Sequence, residues 1–177
     1  MNERTVEDAY AANAAIRGKL KSVVSSLNDD QLNRIPDGEK WSVAHIVEHL
    51  SMVEGGATRI CAKLLSKAQK ESKAGDGKIR VTSSFIEKGT EIAGAKLEAP
   101  DFVVPSGQKP VADSLAALDA NAEALQELKQ LFETVDSNEH KFPHPYFGGL
   151  SAGEWLILIG AHEARHIKQI KGLVEQL

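Results

Sequence analysis

This 177-residue chain is predicted to be an all-α, four-helix bundle with a long crossover between its second and third helices. Apolar residues recur at helical spacing in four long windows, and no window alternates convincingly as a strand. Capping residues or turn-rich breaks bound those windows. A content of 42% hydrophobic but only 5% aromatic residues supplies an aliphatic core for one domain over 1–177.

Thr5-Val6-Glu7-Asp8 resembles a capping box, and Ala9, Ala12, Ile16, Leu20, Val23, Val24 and Leu27 follow at helical spacing. The first helix is therefore expected over about 5–27, with Asn28-Asp29-Asp30 as its stop. After the turn-rich Pro36-Asp37-Gly38-Glu39, Ser42 can cap a second helix bearing Val43, Ile46, Val47, Leu50, Val53, Ile60, Leu64 and Leu65. Gly55-Gly56 either bends that helix or lets a neighbouring backbone come close. From Ser72 to Pro110 glycines and prolines interrupt every pattern, and only Ser84-Phe85-Ile86-Glu87 suggests a short helix start. A connector of that length is a crossover, a lid or a mobile segment. Asp113 or Ser114 opens the third helix, whose stripe Leu115, Leu118, Ala122, Leu125, Leu128, Leu131 and Phe132 ends near Val135. Two prolines and two glycines between Phe142 and Gly149 read as a loop. Ser151-Ala152-Gly153-Glu154 is a capping box for the fourth helix, along which Trp155, Leu156, Ile159, His162, His166, Ile170 and Leu173 form one stripe.

Charge and composition narrow the function. The net charge of −4, with basic and acidic residues interspersed, provides no field for nucleic acid. The charged amino end lacks a signal peptide's apolar stretch, and no window reaches about 18 apolar residues, so a soluble, cytoplasmic protein with no membrane partner is expected. The single cysteine, Cys61, lies between Ile60 and Ala62 and reads as a packed residue. Trp41 and Trp155 read as packing at helix entries, with pocket walls as the lesser alternative.

Histidines carry the chemical signal. His162 and His166 are one turn apart, so both imidazoles project from one helix face and can converge on one cation. A shared ion would also satisfy two imidazoles that otherwise each need a buried polar partner. His49, flanked by Ile46, Leu50 and Val53, is expected to face inward and complete a three-histidine site. His45, one turn earlier, is either a fourth ligand or a hydrogen-bonding neighbour of the ligands. The run His162-Glu163-Ala164-Arg165-His166 also fits the His-Glu-x-x-His pattern of zinc peptidases, with Glu163 as general base. Arg165 in that turn and the want of a substrate-binding edge strand weaken this, leaving Glu163 as a solvated residue or a neighbour supporting the ligands. His144, in the proline-rich loop, is the candidate catalytic acid or base, against a plain surface role.

Trp41-Ser42-Val43-Ala44-His45-Ile46-Val47-Glu48-His49-Leu50, the loop Gly148-Gly149-Leu150-Ser151 and His162-x3-His166-x2-Gln169-Ile170 together resemble the DinB/YfiT-like superfamily of metalloenzymes. The resemblance extends to the architecture, including the long crossover. It implies a homodimeric bundle binding a divalent metal (zinc, nickel or iron) through His49, His162 and His166, with the position of His45 variable. It further implies a thiol-dependent transferase acting on a small-molecule electrophile, with a low-molecular-weight thiol such as bacillithiol or mycothiol as cosubstrate. A metal-dependent hydrolase is the alternative within the enzymes. A stress-response or binding protein with a vestigial metal site is the alternative outside them.

Overall fold

The structure, a computed structural model, describes residues 2–177. In chain order it comprises β1 (Asn2–Thr5), α1 (Val6–Ser25), α2 (Asp29–Asn33), α3 (Val43–Lys70), β2 (Lys78–Val81), α4 (Ser83–Ile92), a 3-10 turn (Asp101–Val103), α5 (Val111–Glu127), α6 (Lys129–Thr134), β3 (Lys141–His144), β4 (Gly148–Ser151) and α7 (Ala152–Val174). No helix of the described residues is long and apolar enough to cross a membrane.

The four long helices α1, α3, α5 and α7 form the bundle: α1 packs on α7, α7 on α3, and α3 on α5. Their apolar residues fall into two clusters. One gathers Val6 and Ala9 of α1, Cys61 and Leu65 of α3, Leu125 of α5 and Leu156 of α7. The other gathers Leu20 and Val24, Ile46 and Leu50, Leu118, and Ile167 and Ile170 from the same helices. Read along each helix, α1 and α7 run from the first cluster to the second, whereas α3 and α5 run from the second to the first. Helices α3 and α5 are thus parallel, and parallel neighbours cannot be joined by a short turn. Residues 71–110 span that distance as the crossover the sequence predicts.

Side-chain caps fix the long helices. Ser42 and Ser151 each accept a hydrogen bond from the amide three residues on, and the His45 and Glu154 side chains accept one from the cap's own amide. Helix α3 continues through Gly55-Gly56, and what approaches the buried Gly55 is the Asn121 side chain of α5 instead of a neighbouring backbone. The third predicted helix breaks at Leu128. The Tyr10 hydroxyl and the Leu128 amide both donate to the Leu125 carbonyl, which an uninterrupted helix would offer to Lys129.

Two departures from the sequence reading involve short strands. Residues 142–149 belong to a β-hairpin, with β3 antiparallel to β4 and Pro143 opposite Gly149. A two-stranded ribbon has only edge strands, where a proline lacking its N–H removes no interior hydrogen bond. The second ribbon pairs β1 with β2, placing Glu3 opposite Arg80. Asn28, read as part of a stop signal, in fact caps α2 through a capping box with Gln31.

Candidate metal centre

The three predicted imidazoles meet. Helix α3 projects His49 and α7 projects His162 and His166, so that their candidate ligand nitrogens all lie within 4.8 Å of one another. His162 Nε2 stands 3.4 Å from His49 Nε2 and 3.1 Å from His166 Nε2. A tetrahedral ion with N–metal bonds of about 2.0–2.1 Å has ligand nitrogens about 3.3 Å apart, so these spacings suit a common cation.

Hydrogen bonds on the far side of two rings orient them. His49 Nδ1–H donates to the Val103 carbonyl at 2.8 Å, and His166 Nδ1–H donates to Gln169 Oε1 at 2.8 Å. Both therefore turn an unprotonated Nε2 toward His162. Burial disfavours the charged form of all three: it lowers the pKa of His49, takes that of His166 to about 4 and puts that of His162 well below the ordinary value. Neighbouring imidazoles add to the effect at His162 and His166. All three rings are neutral near pH 7, the state in which a histidine ligates.

The crossover covers the cluster. The 3-10 turn delivers the Val103 carbonyl to His49, Arg165 donates to the Ala95 carbonyl at 2.6 Å, and the Tyr146 hydroxyl donates to the Glu98 carbonyl at 2.5 Å. Trp41 lies against His49 with ring centroids 5.0 Å apart, making it a wall of the site beyond its expected role at a helix entry.

The remaining candidates sit elsewhere. His45 completes the capping box of α3 opposite the Ser42 cap: its Nδ1 accepts the Ser42 amide at 3.2 Å, and the ring lies outside the imidazole cluster. Glu163 is not solvated. It is buried, and both carboxylate oxygens accept from Arg17, at 2.9 and 3.0 Å, so the group faces α1 and not the histidines. His144 is half-buried in β3, where its Nδ1 accepts the amides of Tyr146 at 3.1 Å and Phe147 at 3.3 Å and its ring lies 5.2 Å from that of Trp155. Burial lowers its pKa to about 4.

A polar belt between the two apolar clusters escaped the sequence reading. Arg17 binds Glu163 and Glu54 and donates to the Leu118 carbonyl at 2.9 Å, tying α1, α3, α5 and α7 through one guanidinium. Burial raises the Glu54 pKa to about 7, against the opposing pull of Arg17. A signal was available: Glu54 continues the buried stripe Val47, Leu50, Ala57, Cys61, and Glu163 the stripe Leu156, Ile159, Ile167, Ile170. A carboxylate in the apolar phase of a helix calls for a buried cation.

Comparison with known proteins agrees with this architecture. The uncharacterised protein YuaE of Bacillus subtilis (strain 168) is 26% identical over 162 residues, covering 87% of this chain and 90% of YuaE. The fold is similar to that of the crystal structure of TT2238, a four-helix bundle protein, with a TM-score of 0.63 at 21% identity over 95% of this chain and 99% of that one. A family model described as the DinB superfamily matches residues 13–170. With that match spanning the bundle from α1 to α7, the chain belongs to the DinB superfamily.

Proposed function

We propose that His49, His162 and His166 hold one divalent ion, zinc, nickel or iron(II), and that the protein transfers a low-molecular-weight thiol to a small electrophilic substrate. The observation that carries this reading is the convergence of three neutral imidazoles, two with the lone pair fixed at Nε2 by hydrogen bonds behind the ring. Three nitrogen ligands leave coordination positions open, which suits catalysis more than a closed structural site. A bound ion would supply Lewis acidity, favouring the ionised form of a thiol or water near neutral pH.

The chain's own residues support that chemistry in separate ways. Burial keeps the imidazoles deprotonated, while Trp41 and the crossover limit solvent. The chain's single cysteine is an unsuitable sulfur nucleophile: Cys61 is buried against the Ala152 carbonyl, and burial pushes its thiol up to about 12. The sulfur would therefore come from a cosubstrate. With Nδ1 occupied by two amides, neutral His144 carries its proton on Nε2, which would serve as a hydrogen-bond donor to a substrate. In this reading residues 1–177 act as one domain, in a cytoplasmic homodimer whose mass light scattering would report.

Metal analysis of the purified protein tests the first step, with about one ion per chain expected and little in His49→Ala or His162→Ala. Thiols offered with electrophilic acceptors test the second, where consumption of both is expected. Turnover of esters or amides with no thiol consumed would favour the hydrolase. A parent protein free of metal would favour a non-catalytic role.

A further inference from the structure

Three polar residues on one face of α3, His45, Glu48 and His49, all meet one short stretch of the crossover. The buried Glu48 carboxylate accepts the Ser106 amide at 3.0 Å and the Ser106 hydroxyl at 2.7 Å on Oε1, and the Gly107 amide at 3.0 Å on Oε2. Gly107 has φ +71, and the His45 ring occupies the space a Cβ there would need, so the backbone reaches Glu48 only because residue 107 has no side chain. Three residues before Ser106, the Val103 carbonyl accepts the Nδ1–H of His49 at 2.8 Å.

The connection runs from carboxylate to crossover to imidazole. Glu48 fixes residues 106 and 107, these place the Val103 carbonyl, and that carbonyl decides which His49 nitrogen keeps its lone pair. Among the described residues, the Val103 carbonyl is the hydrogen-bond partner of His49 Nδ1, while the Trp41 ring supplies contact without a polar anchor. His166 differs, because its orienting group, Gln169, lies on its own helix and owes nothing to the crossover.

We propose that Glu48 is a positioning residue for the metal centre: by anchoring Ser106 and Gly107 it holds the Val103 carbonyl in place and so keeps His49 in the Nδ1–H tautomer with Nε2 open to a cation. The part concerning the cation rests on the three-histidine reading above, whereas the tautomer does not.

Nitrogen NMR of the imidazoles in the metal-free, full-length protein tests it, together with titration by cobalt(II). In the parent, His49 and His166 should both be Nδ1–H tautomers. In Glu48→Gln and in Ser106→Ala, the His49 signals should move toward a mixture containing the Nε2–H form while those of His166 stay put. Cobalt(II) affinity should fall about tenfold or more in Glu48→Gln, the scale set by loss of groups that orient ligands. Ser106→Thr, which retains the hydroxyl, should restore the parent signals. Unchanged His49 signals in both variants would overturn the proposal, as would equal disturbance of His49 and His166, the mark of general loosening. If Glu48→Gln does not fold, the milder Ser106→Ala decides alone. A parent that takes up no cobalt(II) would remove the metal reading, and the tautomer measurement would still decide the role of Glu48.

Discussion

At the residue scale, the site stores neutral imidazoles in a place that resists their protonation. His166 has a folded pKa of about 4 against an ordinary 6.5, and His49 and His162 shift the same way, with burial the largest cause in each. Between those pH values the unfolded chain binds protons that the folded, metal-free chain does not, so stability falls as pH drops from about 6.5 toward 4. Melting temperatures of the metal-free protein across that window should decline, and more steeply than those of His166→Gln. Glu54 has the opposite sign. Its folded pKa near 7 lies above the ordinary 4.5, so its contribution is present at low pH and is lost as pH rises through about 7. Glu54→Gln should remove that component of the pH profile, and equal slopes for parent and variant would count against a shifted Glu54. The three converging histidines were legible in the sequence, two from their i, i+4 spacing and the third from its apolar flanks. Arg17 was not, because its carboxylate partners lie 37 and 146 residues away, and its place in the phase of Ala9, Leu20 and Val24 on α1 does not say which groups it meets.

At the scale of elements, the sequence identifies what repeats and misses what pairs at a distance. Helices α1, α3 and α7 were legible because their caps and stripes are local. The ribbons were not: β1 and β2 are too short to show alternation, and their partners are separated by all of α1 and α3. In β3 and β4 the proline and glycine signals are real, but a hairpin with no interior strand accommodates them. The crossover's start is held by another remote contact, in which the Gly75 amide donates to the Thr134 carbonyl at 3.0 Å and the Val135 backbone fills the space a Cβ would need. A methyl group at 75 would run into the Val135 carbonyl, and a backbone cannot turn aside as a side chain can. Gly75→Ala should therefore cost about 1–3 kcal/mol, the usual scale of overpacking, as measured by urea unfolding.

At the scale of the molecule, the Arg17 belt ties the bundle together. Removing the guanidinium leaves two buried carboxylates facing each other, so Arg17→Ala should lose about 3–5 kcal/mol in chemical denaturation, far more than loss of an exposed pair such as Lys40–Glu98. The spatial order of the belt was beyond the sequence, because helical periodicity assigns a residue to a face and leaves its height against neighbouring helices open. That height has a mechanical corollary. In an interior that is aliphatic throughout, only side-chain packing opposes axial slippage of one helix by a turn, about 5.4 Å. Here such a ratchet would carry Glu54, Glu163 or Arg17 into surroundings of pure hydrocarbon, so the helices have one permitted longitudinal alignment, and the imidazoles on α3 and α7 inherit their common level from it.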